Sequence, residues 1–457
     1  MKHIVVMTST SSIGLMSIFI VDLIDMFFLG LLGEEELAAA IGYAGTVLFF
    51  STSINIGVAI ATGALTSQAI GRNEFGRAKI VAVNSITFAA VFALIFSSIL
   101  WFYIPEILQL LGASGRTLEL AITYLTIVVP SMIFLAVGMC SSSVLRATGD
   151  AKGAMSATLV GGGVNLILDP ILIFVLDWGI AGAAWASVVA RFSVLFVAFW
   201  IASVKHSLIG RLSLIDFFND LSKVLKISIP AMLTNIATPI GNAYVIKVVA
   251  SFGDSAVAGM AIVGRLTPVA FGVIFALSGA VGPIVGQNFG AGRLDRVKQT
   301  LIDGLKFCGI VVAAISLILY FLRYYIMIAF GATGEAAEMV NAFCTWVAAT
   351  FFFTGMVFLA NAAFNNLGYP LYSTINNFSK AVITTIPCVF FGALWFDHTG
   401  VLYGQAVSAI IVGMSSIWFC FRLVDQLAKG DKFPPNAKQQ NHFQLRFPRW
   451  PLSNTRS

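Results

Sequence analysis

Charge is what this chain has least of. Aspartate, glutamate, lysine and arginine make up 11% of its 457 residues, where a soluble globular domain carries about a quarter. That shortage excludes a water-exposed globule. Histidine is scarcer still: His3, His206, His398 and His442 fall at termini or in short loops, without metal-ligand spacing. The five cysteines, Cys140, Cys308, Cys344, Cys388 and Cys420, stand singly in apolar runs. They exclude a disulfide framework and read as small packing residues. No His-Glu-x-x-His or Gly-x-Ser-x-Gly occurs, so an intramembrane enzyme has little to build on. The expectation is a protein that is not an enzyme, has no cofactor and has no certain metal site. A cleavable signal peptide is not expected either, because Asp22 and Asp25 interrupt the first apolar run.

What is present is hydrophobicity, at 58% of residues. Runs of about 20 apolar residues, long enough to cross a bilayer, fall near 13–32, 41–64, 80–103, 120–144, 154–176, 180–202, 227–250, 259–285, 301–322, 337–363, 374–396 and 400–422. Twelve spans put both termini on one side. The even-numbered ends carry the basic residues, among them Arg72, Arg77, Lys79, Arg146, Lys152, Lys205, Arg293 and Lys298. The odd-numbered ends carry Glu34, Glu35, Glu36, Asp177, Asp254 and Asp397. The positive-inside rule then expects a multi-pass cell (inner) membrane protein with both termini cytoplasmic. The net charge of +6 is a topology signal, and nucleic acid is not an expected partner.

The chain is organised around Gly161-Gly162-Gly163-Val164-Asn165-Leu166-Ile167-Leu168-Asp169-Pro170. Asn165 and Asp169, at i and i+4, share one helix face in the middle of an apolar run. An acid at that depth is by default functional and faces protein or a water-filled cavity; the alternative is a structural polar pair between helices. The chain also repeats itself. Gln68-Ala69-Ile70-Gly71 matches Gln287-Asn288-Phe289-Gly290, Gly112-Ala113-Ser114-Gly115 matches Gly331-Ala332-Thr333-Gly334, and Gly149 matches Gly368, all at an offset of 219 residues. Six spans separate the copies, so the repeats are parallel. The expected fold is an all-α integral membrane protein of twelve transmembrane helices, in two parallel six-helix repeats around a central cleft. Its parts are an N-lobe at 1–202, a linker at 203–226, a C-lobe at 227–423 and a polar, Pro-rich tail at 424–457.

Asp25-x-x-x-x-Gly30, Asn165-x-x-x-Asp169-Pro170, Gly179-Ile180-Ala181-Gly182-Ala183-Ala184 and the loops Gln68 to Arg77 and Gln287 to Arg296 together resemble the multidrug and toxic compound extrusion (MATE) family. The resemblance covers about residues 8–423 and is closer to the family's DNA-damage-inducible F-like branch. It implies a secondary antiporter that exports amphiphilic, usually cationic compounds in exchange for H⁺ or Na⁺. Two departures stand out. A span-one proline common in proton-coupled members is missing, since Thr10 stands opposite Pro230 in the repeat, and Lys247 and Asn361 occupy places where the other branch has acids. A lipid-linked saccharide flippase of the same wider superfamily is the alternative, kept open by Arg191 and Lys247. A channel is disfavoured by the repeat.

Depth sorts the acids. Asp25, Asp169 and Ser187 each lie about eight residues in from an outer helix end, or ~12 Å at 1.5 Å per residue. Asp22, Asn165 and Arg191 come one turn deeper. Arg191 is expected to pair with Asp22, because a lone cation there costs ~2.5–3.5 kcal/mol. Asp25 and Asp169 have no cation in their layer, so mutual repulsion and desolvation favour one proton between them. The coupling residues are therefore expected to be Asp25, Asp169, Asn165 and Ser187, with Asp25, Asn165 and Asp169 as the place for Na⁺ should that be the ion. The 39 phenylalanines and 13 methionines can supply a plastic surface for varied cargo. Because the repeat supplies both halves of the cleft, a monomer is expected.

Overall fold

The computed structural model describes residues 2–30, 35–210 and 212–430, with only the backbone of Asp22, Leu23, Met26, Phe27, Leu29, Gly30, Glu35 and Ala38. Lipid offers backbone groups no hydrogen bonds, so a chain this apolar must satisfy them within helices. The elements are α1 (Lys2–Gly30) and α2 (Glu35–Gly71), α3 (Phe75–Phe102), α4 (Gly115–Ala147), α5 (Ala151–Val175), α6 (Gly179–Lys205), α7 (Leu214–Ala250), α8 (Asp254–Gly290), α9 (Leu294–Ala329) and α10 (Gly334–Asn366). The last apolar stretch, Pro370–Ala428, breaks at Phe396 and Asp397. Asp397 turns the chain back with φ 50°, giving α11 (370–396) and α12 (397–428). Gly392, Gly400 and Gly404 let these two arms touch, since a Cβ on any of them would overlap the opposing backbone.

Backbone geometry repeats with the sequence. The left-handed residues Asn73, Gly112, Gly115 and Gly149 recur as Gly292, Gly331, Gly334 and Gly368, each 219 positions on, and Asp177 in the α5–α6 turn answers Asp397. The fold is thus two six-helix repeats. α1 runs unbroken without its proline, whereas α7 carries both Pro230 and Pro239. α7 also begins inside the stretch 203–226 that composition marks as a linker, and α12 continues to Ala428. The expected polar tail beyond residue 430 lies outside the described residues.

The lobes meet where α1 and α2 pack on α7 and α8. Where α1 begins and α12 ends, the contact is reciprocal. Gln68 Nε2 donates to the Asn366 carbonyl (2.8 Å) and Gln287 Nε2 to the Ala147 carbonyl (2.6 Å); both donors and both acceptors are repeat equivalents. Gly71 and Gly290 permit it, because a Cβ on either would overlap the carbonyl of Gln287 or of Gln68. Fully buried Ser67 lies in the same contact, 3.3 Å from Asn366 Oδ1. Two carboxylates brace this end. Asp220 of α7, 1% exposed, binds Arg77 and Asn84 Nδ2 (2.9 Å) of α3. Asp150 caps α5 through the Gly153 amide (2.9 Å) and receives Lys205 Nζ (2.8 Å) and His206 Nε2 (2.7 Å) from the end of α6. Partial burial would raise the Asp150 carboxyl, but Lys205, His206 and the Gly153 amide outweigh it and hold it at about 2.

Two outcomes follow from these contacts. In a Ser67→Cys background, Gly290→Leu should force the helix ends apart and raise maleimide labelling of residue 67 several-fold; labelling equal to the parent would mean this contact does not hold the lobes together. Asp150→Asn keeps an N-cap acceptor for the Gly153 amide but removes the charge that Lys205 and His206 face. It should lower thermal stability at neutral pH by about 1 kcal/mol, a charge-assisted contact discounted for the exposure of Lys205. A carboxyl held below its unfolded value stabilises fully above about pH 4, and that contribution disappears as the pH falls toward about 2. Melting curves of parent and variant should therefore converge across that window.

Candidate functional site

α5 is positioned by two of its glycines, Gly161 and Gly162. A Cβ at Gly161 would overlap the Val194 side chain and lie 3.1 Å from the Ala190 carbonyl of α6, and one at Gly162 would come within 3.2 Å of Val21 on α1. Bare backbone at both positions lets α5 wedge between α6 and α1. The next two turns then carry Asn165 and Asp169 into the lobe interior, where Asp169 is fully buried. Pro170 has no N–H and cannot continue a regular ladder, and the chain passes into a π turn at Ile171–Val175. Such turns recur at functional positions.

Asp25 of α1 lies within side-chain reach of Asp169, and Asn165 flanks the same carboxyl. The structure thus brings together three of the four residues expected for coupling. Ser187 joins them through Tyr124 of α4, which lies beside Ser187 and within electrostatic range of Asp25, Asp169 and Arg191. Both oxygens of Asp169, Oδ1 of Asp25 and Nδ2 of Asn165 are buried without a hydrogen-bond partner of good geometry. Groups of this kind are costly in a low-dielectric interior unless a proton or a cation enters among them. Arg191 donates to Ser131 Oγ (2.9 Å) and the Val128 carbonyl (3.3 Å), at the 3-10 turn Val129–Ser131 that interrupts α4. Its expected pairing with Asp22 lies outside the described residues, since that side chain is not among them.

Tyr124 was legible by the same depth count that grouped the others, being about nine residues in from the end of α4 at Gly115, yet an aromatic in an apolar span reads first as packing. A second feature lies wholly in the C-lobe. A cavity of about 590 Å³ sits among α7, α8, α10, α11 and α12. Phe275, Phe343, Phe351 and Phe358 wall it, and Lys380 reaches into it. Lys247 is exposed and does not line it. Lys380 was visible in the sequence as a cation inside the apolar run 374–396.

A profile of the MatE family matches residues 11–171 and again 230–391, two segments that begin 219 residues apart. The FAD transporter of Shewanella oneidensis is 27% identical over 92% of this chain and 94% of its own length. The multidrug export protein MepA of Staphylococcus aureus is 25% identical over 91% and 92%. Among solved structures, the Vibrio cholerae MATE transporter VcmN in its bent form superposes with a TM-score of 0.87 at 25% identity, covering 94% of this chain and 97% of that one. With both repeats matched and the fold shared, the chain belongs to the MatE family and is a membrane-spanning MATE transporter.

Proposed function

We propose that the protein is a secondary antiporter of the cell (inner) membrane, working as a monomer with both termini in the cytoplasm, that exports amphiphilic organic compounds in exchange for protons. The observation that carries this reading is the carboxyl pair Asp25 and Asp169, side by side in the lobe, with Asp169 fully buried and neither its two oxygens nor Oδ1 of half-buried Asp25 met by a hydrogen bond of good geometry. Two carboxylates confined together resist double ionisation, so one proton relieves both the repulsion and the orphaned oxygens. A proton taken up on one side of the membrane and lost on the other is the exchange an antiporter needs. The relatives' names, a multidrug export protein and an FAD transporter, support export of organic molecules larger than ions. The N-lobe acids, with no acid lining the C-lobe cavity among the described residues, support placement in the DNA-damage-inducible F-like branch.

Na⁺ is the second reading. Its support is the donor set: Asp169 offers two free oxygens beside Asn165 and Asp25, and oxygen ligands suit a hard cation.

The test is efflux of ethidium from proteoliposomes under an imposed pH gradient, repeated with all Na⁺ replaced by choline. Asp169→Asn should lower gradient-driven efflux at least tenfold while the protein still inserts and elutes as a single species. Gradient-driven efflux by that variant at the parent's rate would overturn the assignment. Parent efflux that vanishes without Na⁺ would transfer the role to the second ion.

A further inference from the structure

The two lobes use equivalent positions for opposite charges. Offset by 219, Asp25 corresponds to Tyr244, Asp169 to Cys388 and Gly161 to Lys380. The acids of the N-lobe thus have no counterpart in the C-lobe, and the cation of the C-lobe has none in the N-lobe. Lys380 lies about ten residues into α11, near mid-membrane, where a cation is costly and marks a substrate or ion path by default.

Its surroundings are built around it. The π turn Ser379–Thr384 carries it, and that turn is tied down by Thr384 Oγ1, which donates to the carbonyls of Ser379 (3.1 Å) and Lys380 (3.2 Å). Ser408 of α12 lies 2.7 Å from Thr384 Oγ1 and 2.9 Å from Thr385 Oγ1. The ammonium itself spends little of its capacity: of three donors, one makes a long 3.5 Å bond to Thr354 Oγ1. Among the described residues Lys380 carries the one charge on the cavity wall, and no carboxylate lines it. Opposite lie aromatic rings, with Phe275 and Phe358 at 5.4 Å and Phe343 and Phe351 at 6.2 Å between centroids. A volume of about 590 Å³ is within the usual range for an organic ligand.

We infer that this C-lobe cavity is a cargo subsite for an aromatic amphiphile bearing an anionic oxygen, carboxylate or phosphate, with Lys380 as the group that recognises the anion and Thr354 beside it. The inference rests on the reading of the protein as an exporter and departs from the cationic cargo that the family resemblance implies. The anion supplies the charge partner that Lys380 lacks, and the rings stack on the phenylalanines. A cationic cargo would instead meet uncompensated like charge.

The test uses matched probes that differ only in the anion: flavin mononucleotide against riboflavin for phosphate, and pyrenebutyrate against pyrenebutanol for carboxylate. Affinities are read by fluorescence in detergent with the full-length protein and no gradient. The parent should bind at least one anionic probe tighter than its neutral twin by on the order of ten- to a hundredfold, the range of a charge-assisted hydrogen bond. Lys380→Met should bring that ratio close to one, Lys380→Arg should retain most of it, and both variants should elute as the parent does. The arm that responds identifies the anion. Ratios near one in the parent for both pairs, or a ratio that survives in Lys380→Met, would overturn the inference. Because no gradient is imposed, failure of the Asp169 efflux test leaves this result standing, and the reverse also holds.

Discussion

The reciprocal contact of Gln68 with Asn366 and Gln287 with Ala147 is what makes one molecule of two lobes. Each amide reaches a carbonyl at the end of a helix in the other repeat, where carbonyls have no intrahelical partner. Gly71 and Gly290 let the two backbones come close enough for both bonds to form. Farther from the termini the lobes still touch at Gly57 against Met232 and at Gly272 against Met16. These contacts lie between mid-helix and the end where α1 begins, whereas the carboxyl pair lies near the opposite ends of α1 and α5. The molecule is closed where it is polar and basic, and its chemistry is held on the far side of that closure.

One repeat has been specialised twice. The same helix hairpin, α5–α6 in one lobe and α11–α12 in the other, turns at a left-handed aspartate in each case. Each first arm departs from regular α geometry, at Ile171–Val175 just after Asp169 and at Ser379–Thr384 around Lys380. A wider turn exposes a side chain at an angle a regular helix would not allow. In the N-lobe that liberty serves an acid beside Asp25, and in the C-lobe a lysine among phenylalanines. Separation matters electrostatically: an ammonium in the layer of Asp25 and Asp169 would neutralise the repulsion on which the proposed proton exchange rests.

The sequence disclosed what depends on single residues being out of place. An acid in an apolar run is conspicuous, so Asp25 and Asp169 could be named, and helical rise alone put them in one layer with Ser187. The repeat was legible because glycines in left-handed turns cannot be exchanged freely, and the matches at Gly112, Gly115 and Gly149 fall on such turns. Long-range partners were not legible. Gln68 and Gln287 stood out as a repeated motif, but nothing local says that their amides cross to the opposite lobe. The C-lobe cavity depends on which faces of five helices converge, which low amphipathicity in apolar spans conceals. Tyr124 and Lys380 fall between these cases, visible by depth but ordinary by residue type.

α1 belongs structurally to both halves. It packs on α5, whose Gly162 accommodates Val21, and on α8, whose Gly272 accommodates Met16, and between those contacts and its far end it carries Asp25. The residues around the carboxyl pair and those lining the aromatic cavity are disjoint sets, so the ion and cargo sites proposed above share no ligand. The exchange proposed above would then be mechanical: a proton arriving at Asp25 would act by changing how a shared strut seats against its two neighbours. A transporter wired this way can alter its cargo by mutation in the second lobe while leaving its fuel untouched.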